Sequence, residues 1–149
     1  MIQGKWFAPG EKLTDLLPLR ETIWNRGVDD LDPLSWNVLV YEDEVPAGTG
    51  RIWWQDGAFR LGDIAVLPER RGRGLGDLVL RLLLFKAQSH AAREVRLSSP
   101  ADTAGFFARL GFRPDPSAGD SSEMLLPGEE IELDSCKNCK KPNCPSRKA

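Results

Sequence analysis

The sequence predicts a single-domain α/β protein with a mixed, mostly antiparallel central sheet flanked by helices. Three observations carry this reading. Residues 36–67 hold three runs rich in β-formers, joined by two short turns, which makes an antiparallel meander. Leu61 to Gly76 then passes from a strand through a glycine-rich turn into a helical pattern. After that helix, strand and helix signals alternate to residue 126. A chain of 149 residues suits one domain, and burying roughly 70% of the unfolded surface is within its reach. Its apolar fraction of 41% and charged fraction of 28% argue against a disordered chain and for a water-soluble globular one.

Gln3 to Phe7 reads as a first strand ending at the Pro9-Gly10 turn. Asp15 is placed to cap a helix, Pro18 falls in its first turn, and Gly27 is its expected stop. Val28 to Ser35 reads as a loop or short helix carrying Asp29, Asp30 and Asp32. Trp36 to Glu42 and Ala47 to Trp54 are strands about the turn Asp43 to Pro46. Gln55-Asp56-Gly57 is a hairpin signal leading into a strand from Ala58 to Leu67. Leu75, Leu78, Val79, Leu82 and Leu83 share one helix face, Asp77 and Arg81 are spaced to pair, and that helix should end near Ala92. Glu94 to Ser98 is the next strand. Ser99, Pro100 and Asp102 have the order of an N-cap, a first helical residue and a capping-box acid, and Gly111 closes that helix. Phe112 to Pro114 and Glu123 to Leu126 are the last strands. Residues 1–127 are thus expected to form the domain, and residues 128–149 a charged tail.

The glycine turn has the makings of an anion site. The first turn of a helix has backbone N–H groups without intrahelical partners, and the helix dipole adds partial positive charge there. Gly72, Gly74 and Gly76 allow positive φ and close approach by a phosphate. Glu69, Arg70, Arg71 and Arg73 sum to two positive charges at that point. The P-loop pattern is excluded, because no Lys-Ser or Lys-Thr follows Gly74 or Gly76. The dinucleotide fingerprint is excluded by spacing, since Pro68 to Arg71 separate the strand from the glycines. The pattern [Q/R]-x-x-G-x-[G/A] is met in full by Arg71-Gly72-Arg73-Gly74-Leu75-Gly76.

With Val66 and Pro68 ahead of it, this stretch resembles the acetyl-CoA motif of the GNAT superfamily of N-acetyltransferases. Phe106 to Phe112, FFARLGF, is similar to that family's FYxxLGF segment, and the element order is that of the GNAT fold. Upstream, Leu19-Arg20-Glu21, Asp29 to Asp32 and Gly48 to Arg51 resemble a pattern of one subgroup. The resemblance runs from Gln3 to Leu126. It implies acetyl-CoA as cofactor and acetyl transfer to a primary amine by direct attack in a ternary complex. It further implies that the backbone of Ile64, Ala65 and Val66 pairs with the pantetheine arm. The N–H groups of Arg71, Gly72, Arg73, Gly74, Leu75 and Gly76, with the Arg71 side chain, would hold the pyrophosphate, and Phe107 would stand beside the cofactor.

The family often places an acidic base on the strand before the turn, which singles out Asp63. Apolar strand neighbours would give a carboxylate the desolvation a general base needs. The alternative is a strand aspartate paired with Arg60 or Arg51 and without a chemical role. Asp29, Asp30, Asp32 and Glu123 are further candidate bases. The family's tyrosine, which serves the leaving thiolate, is replaced by Phe107, and the only tyrosine is Tyr41 on an early strand. Because a thiol's pKa is only about 8.5, the thiolate can leave without it, with solvent, Ser98 or Ser99 assisting. A rival reading is a non-catalytic acyl-CoA-binding or regulatory module whose cysteine tail docks a partner or metal.

Cys136, Cys139 and Cys144 supply three of the four ligands that structural zinc wants, so the tail reads as a partial zinc site or as reduced thiols. His90, the only histidine, reads as a helix-surface residue; Trp53 and Trp54 must face opposite sides of their strand. The N-terminus lacks the apolar core of a signal peptide, and no apolar run approaches a membrane span, so the chain is expected in the cytoplasm. The expected partner is a small-molecule or protein-borne amine. A net charge of −2 argues against nucleic acid, a membrane partner is not expected, and a homodimer is compatible with this reading.

Overall fold

Two left-handed turns make the meander. Asp43 and Glu44 have φ of 52° and 69°, and Asp56 and Gly57 have φ of 52° and 80°. Two-residue turns of this hand match the twist of antiparallel strands and reverse the chain with little splay. In the computed structural model, which describes residues 1–119 and 122–133, they join β2 (Ser35–Glu42), β3 (Val45–Gln55) and β4 (Ala58–Val66). The remaining strands among the described residues are β1 (Ile2–Phe7), β5 (Glu94–Ser98), β6 (Arg113–Pro114) and β7 (Glu123–Pro127). The helices are α1 (Leu16–Trp24), α2 (Leu75–Ser89) and α3 (Ala104–Ala108). One sheet holds the strands in the order β1-β2-β3-β4-β5-β7-β6. Every neighbouring pair is antiparallel except β4 with β5. This is the mixed, mostly antiparallel sheet that the sequence predicts.

Alternation along β2 divides the core. Val38 and Val40 join Val79, Leu80 and Leu83 of α2 on one face, while Leu39 joins Phe7, Leu16 and Leu19 beneath α1 on the other. In β4 the alternation is broken. Arg51 stands opposite Gly62 and Thr49 opposite Ala65, so three steps on β4 match two on β3. The extra residue is a β-bulge with Asp63 in left-handed backbone, φ 51°. Strict alternation would put Leu61 and Val66 on opposite faces; with the bulge, both enter the α2 core.

The helix boundaries differ from expectation at several ends: α2 stops at Ser89 rather than near Ala92, α3 at Ala108 rather than Gly111, and two further ends differ for clear reasons. α1 stops at Asn25, which takes the left-handed conformation (φ 52°), two residues before Gly27. Asp15 does not cap it; its carboxylate accepts the Tyr41 hydroxyl at 2.7 Å. α3 begins after Thr103 rather than Ser99. The Ser99 and Thr103 hydroxyls stand 2.8 Å apart, so one donates to the other while the other donates to the Pro100 carbonyl oxygen, which holds residues 99–103 in a turn. Elsewhere the pairing of Asp77 with Arg81 forms at 2.7 Å, and Trp53 is buried while Trp54 is 58% exposed.

The ordered packing continues past Pro127. The Gly128 N–H donates to the Arg93 carbonyl at 2.7 Å, and a Cβ there would lie 1.7 Å from the Ala92 oxygen, so only glycine fits. Ile131, 6% exposed, belongs to the α2 core, and Leu133 packs against it. Residues 128–133, which the sequence groups with the tail, therefore close the far side of α2. Ile131→Ala should lower stability by about 2–5 kcal/mol, the range for deleting a buried isoleucine side chain. Urea unfolding would show it as a lower midpoint at unchanged slope.

Candidate active site

β4 and β5 pair only through Phe59 with Val95 and Arg60 with Arg96. Beyond that point the two parallel strands hold no further ladder between them, and a cleft of about 910 Å3 opens. Residues 61–66 of β4 form one wall, Leu97 and Ser98 of β5 the other. The glycine turn with the start of α2 closes one end, and Phe106, Phe107 and Arg109 of α3 and its C-terminal end flank it. Because the other edge of β4 is occupied by β3, the edge facing the cleft carries strand N–H and C=O groups available to an extended ligand.

The turn is built to leave its backbone bare. Gly72 and Gly74 both have φ of 81°, and nothing lies within 4 Å of where a Cβ would stand on either. Gly74 is the N-cap of the 15-residue α2, so the unpartnered N–H groups of that helix point toward the cleft end. The arginines divide. Arg71 lines the cleft and is steadied by donating from Nε to the Val66 carbonyl at 3.0 Å. Arg70 and Arg73 turn away and meet Glu42 at 2.8 and 2.7 Å. The hydrogen bond from Arg70, then that from Arg73, holds the Glu42 carboxyl below its usual range. The two-charge surplus read from the sequence thus reduces to one cleft-facing guanidinium and the helix terminus.

On the α1 side of β4, charges alternate. Arg20 donates to both oxygens of Asp32 at 2.7 Å and to Asn37 Oδ1 at 2.8 Å, fully out of solvent. Arg51 donates to Asp29 at 2.6 and 2.9 Å and to Asp32 at 3.3 Å. Its Nε lies 3.2 Å from Asp63 Oδ2, close enough to pair in charge but off line for a hydrogen bond. Arg26 donates to both Asp63 oxygens, to Oδ1 at 3.3 Å and to Oδ2 more closely. Three arginines and three aspartates therefore compensate one another. Burial pushes the Asp32 carboxyl up, but the hydrogen bonds from Arg20 and from the Asp29 N–H outweigh it and hold it down to about 2. The hydrogen bond from Arg51 likewise keeps Asp29 below its usual value.

The cleft gathers Asp63, Ile64, Ala65, Val66, Arg71, Gly72, Gly74, Leu75, Gly76 and Phe107 from the residues the sequence singles out. Of the cofactor-binding candidates Arg73 is the exception, its side chain being tied to Glu42, and the candidate bases Asp29, Asp30, Asp32 and Glu123 also lie outside the lining. Phe107 is a buried wall residue, its ring edge-on to Phe106 at 5.0 Å and Phe112 at 6.0 Å. Tyr41 is not in the cleft lining; burial and the Asp15 hydrogen bond push its hydroxyl up to about 12. Asp29 and Asp32 serve the ion-pair network. Sequence reasoning missed Trp24 and Arg26, which line the cleft with the Arg26 guanidinium 5.1 Å over the Trp24 ring. Their only signal is position, just before and just after the left-handed stop of α1. Cys136, Cys139 and Cys144 lie outside the described residues, and among the described residues no three His, Cys, Asp or Glu side chains gather as a metal site. Among the same residues no helix is long and apolar enough to cross a membrane.

The acetyltransferase (GNAT) domain model matches residues 35–114, from β2 through β6. This chain belongs to the GNAT acetyltransferase family. The uncharacterized N-acetyltransferase YjcF of Bacillus subtilis is 28% identical over 69% of this chain and 79% of its own. In fold, the chain is similar to an acyl-CoA N-acyltransferase from Pseudomonas aeruginosa, with a TM-score of 0.71 at 18% identity over 84% of this chain and 99% of that one. It is also similar to a GNAT family acetyltransferase from Brucella melitensis solved in complex with acetyl-CoA, with a TM-score of 0.64 at 18% identity over 85% and 88% of the two chains. The GNAT protein described here is an N-acetyltransferase.

The ion-pair network gives the acetyltransferase a defined acid limit. A carboxyl held at about 2 in the fold and near 3.8 when unfolded contributes stability that is present above the unfolded value. That contribution is lost as pH falls from about 4 toward 2. Asp32→Asn should flatten the fall in stability over this window. At neutral pH it should cost about 3–5 kcal/mol, because it leaves Arg20 buried without its counter-charge. Urea unfolding of wild type and variant at pH 7 and pH 3 measures both effects.

Proposed function

We propose that this acetyltransferase moves the acetyl group of acetyl-CoA to a primary amine by direct attack while both are bound. The observation that carries the reading is the cleft itself. It combines a strand edge without a ladder partner, a glycine turn with open backbone and a helix N-terminus, arranged end to end. Acetyl-CoA is the acetyl donor and is consumed in each turnover. The strand edge at Ile64, Ala65 and Val66 suits an extended amide-bearing arm. The N–H groups of residues 71–76 and the Arg71 guanidinium suit a pyrophosphate. Hydrogen bonds to a charged group contribute about 1.5–3 kcal/mol each, so four or five of them support micromolar binding. Such remote anchoring also orients the thioester for attack.

The amine enters from the α1 side, where Ile23, Trp24 and Arg26 form the remaining lip of the cleft. Asp63 presents both oxygens to guanidinium groups. In this reading it holds the bulge and Arg26 in place rather than accepting the amine's proton. Phe107 walls the cleft without a proton to give, and the low basicity of a thiolate lets it leave without one. No observation favours the rival non-catalytic module.

The cofactor part of the proposal is tested at Gly74. Valine there would put a β-branched side chain into left-handed backbone and over the open cradle, and CoA affinity should fall by about tenfold or more, 1.4 kcal/mol or above. Calorimetry showing equal CoA affinity in a folded Gly74→Val protein would remove the pyrophosphate assignment. The acceptor part is tested by thiol release from acetyl-CoA with a polyamine, an amino sugar phosphate and a peptide bearing a free α-amine. Turnover of one or more is expected, and normal acetyl-CoA binding with no turnover of any primary amine would count against it.

A further inference from the structure

Ser98 ends β5 and Glu123 begins β7, and the two stand opposite each other in the antiparallel ladder. The Ser98 hydroxyl donates to Glu123 Oε1 at 2.7 Å. Arg60 Nη2 donates to Ser98 Oγ at 3.2 Å and to the two Glu123 oxygens at 3.0 and 3.1 Å. Arg60 is also part of the last β4–β5 pair, so the trio sits at the vertex where the two strands part. Ser98 lies two residues beyond that pair on β5, where the ladder with β4 has ended. Ser98 lines the cleft, while Glu123 stands behind it.

The other lining groups leave proton transfer to this position. Asp63 lies between two guanidinium groups, Arg26 and Arg51, and Asp77 pairs with Arg81; among the described residues no hydroxyl donates to either as Ser98 does to Glu123. Phe106 and Phe107 carry no exchangeable proton. The Thr103 hydroxyl is engaged with Ser99 and the Pro100 carbonyl. Among the described residues that line the cleft, Ser98 is the hydroxyl backed by a carboxylate.

We propose that Ser98 is a catalytic residue of the acetyl transfer, carrying the amine's proton to Glu123, with Arg60 as the positioning residue that aims the carboxylate. The inference rests on the reading of the cleft as the acetyl-transfer site. In the step, the neutral amine forms its N–C bond to the thioester carbonyl carbon, and the C–S bond breaks with its electron pair left on sulfur. The proton lost by nitrogen goes to Ser98 Oγ as the Ser98 hydroxyl proton goes to Glu123 Oε1. The products are the amide, the CoA thiolate and a protonated Glu123, which returns its proton to solvent or to the thiolate. A relay through a hydroxyl suits a site where the carboxylate is set one side chain back from the reacting atoms.

The test uses the full chain, acetyl-CoA and the best acceptor of the three amines above. If none of them is turned over, hydrolysis of acetyl-CoA by water is the readout, since attacking water must shed a proton by the same route. Ser98→Ala should lower kcat by about 10²-fold, the lower end of what a positioned proton carrier supplies, with acetyl-CoA affinity unchanged by calorimetry. Ser98→Thr, which keeps the hydroxyl, should restore most of that loss. Glu123→Gln should remove the limb of kcat/KM that rises with pH as a carboxylate ionises, leaving only the limb set by the amine. Unchanged kcat in Ser98→Ala would overturn the proposal. Equal losses in the alanine and threonine variants would also overturn it, since they mark a packing role. Retention of the carboxylate limb in Glu123→Gln would exclude Glu123 as the proton's destination. Failure of the acetyl-transfer reading looks different, because wild type would then bind acetyl-CoA normally and release no thiol with either an amine or water.

Discussion

The single residue inserted into β4 between Gly62 and Ala65 governs both faces of the sheet. With a side-chain period of two, one extra residue inverts every position beyond it. Leu61 and Val66 can therefore share the α2 core although they are an odd number of residues apart. The same inversion turns Asp63 out of the apolar face and toward Arg51 and Arg26. A left-handed aspartate is tolerable because Asp is among the few residues that visit this region, and two guanidinium partners hold it there. The bulge also bends β4, and β5 keeps only two residues of ladder with it. The cleft thus opens beside the same local irregularity that sets the core.

The charged residues are distributed so that the cleft stays selective about which charges it shows. Arg20, Arg51 and Arg26 meet Asp32, Asp29 and Asp63 in a chain that runs from full burial to the cleft lip. Its inner members would be costly if unpaired, which ties the loop at residues 25–32 to β3 and β4 and fixes the acceptor-side wall. At the other end, Glu42 takes up Arg70 and Arg73, so the turn is anchored to β2 while Arg71 remains for the ligand. Neutralising the neighbours leaves the helix terminus and one guanidinium as the local field.

The acetyltransferase reaction asks for a fixed donor, an entry for the amine and a route for one proton. Backbone geometry supplies the first, through an open strand edge and bare glycines. The loss of the expected tyrosine at Phe107 matters less than it would for a poorer leaving group, because a thiolate is stable enough to depart. The proton route falls to groups brought together by strand pairing rather than by sequence proximity: β7 places Glu123 beside Ser98, 25 residues away in the chain.

Local chemistry by itself determined most of the elements and the glycine turn. Helix periodicity from Leu75 onward, turn residues at Asp43 and Gly57, and glycines where a strand gives way to a helix are all short-range signals. They are legible because the physical rule that reads them spans only a few residues. The bulge was not legible, since LGDIAV shows no residue that demands an extra step; it shows only in the register of β4 against β3. With the bulge unseen, Asp63 read as a desolvated strand carboxylate, with Arg51 as one of its alternative partners; the second partner, Arg26, comes from a loop 37 residues upstream. The true stop of α1 at Asn25 and the closure of the core by Ile131 were hidden for the same reason. Each depends on what lies across the fold, and burial and charge pairing between distant segments are decided only when the chain has folded.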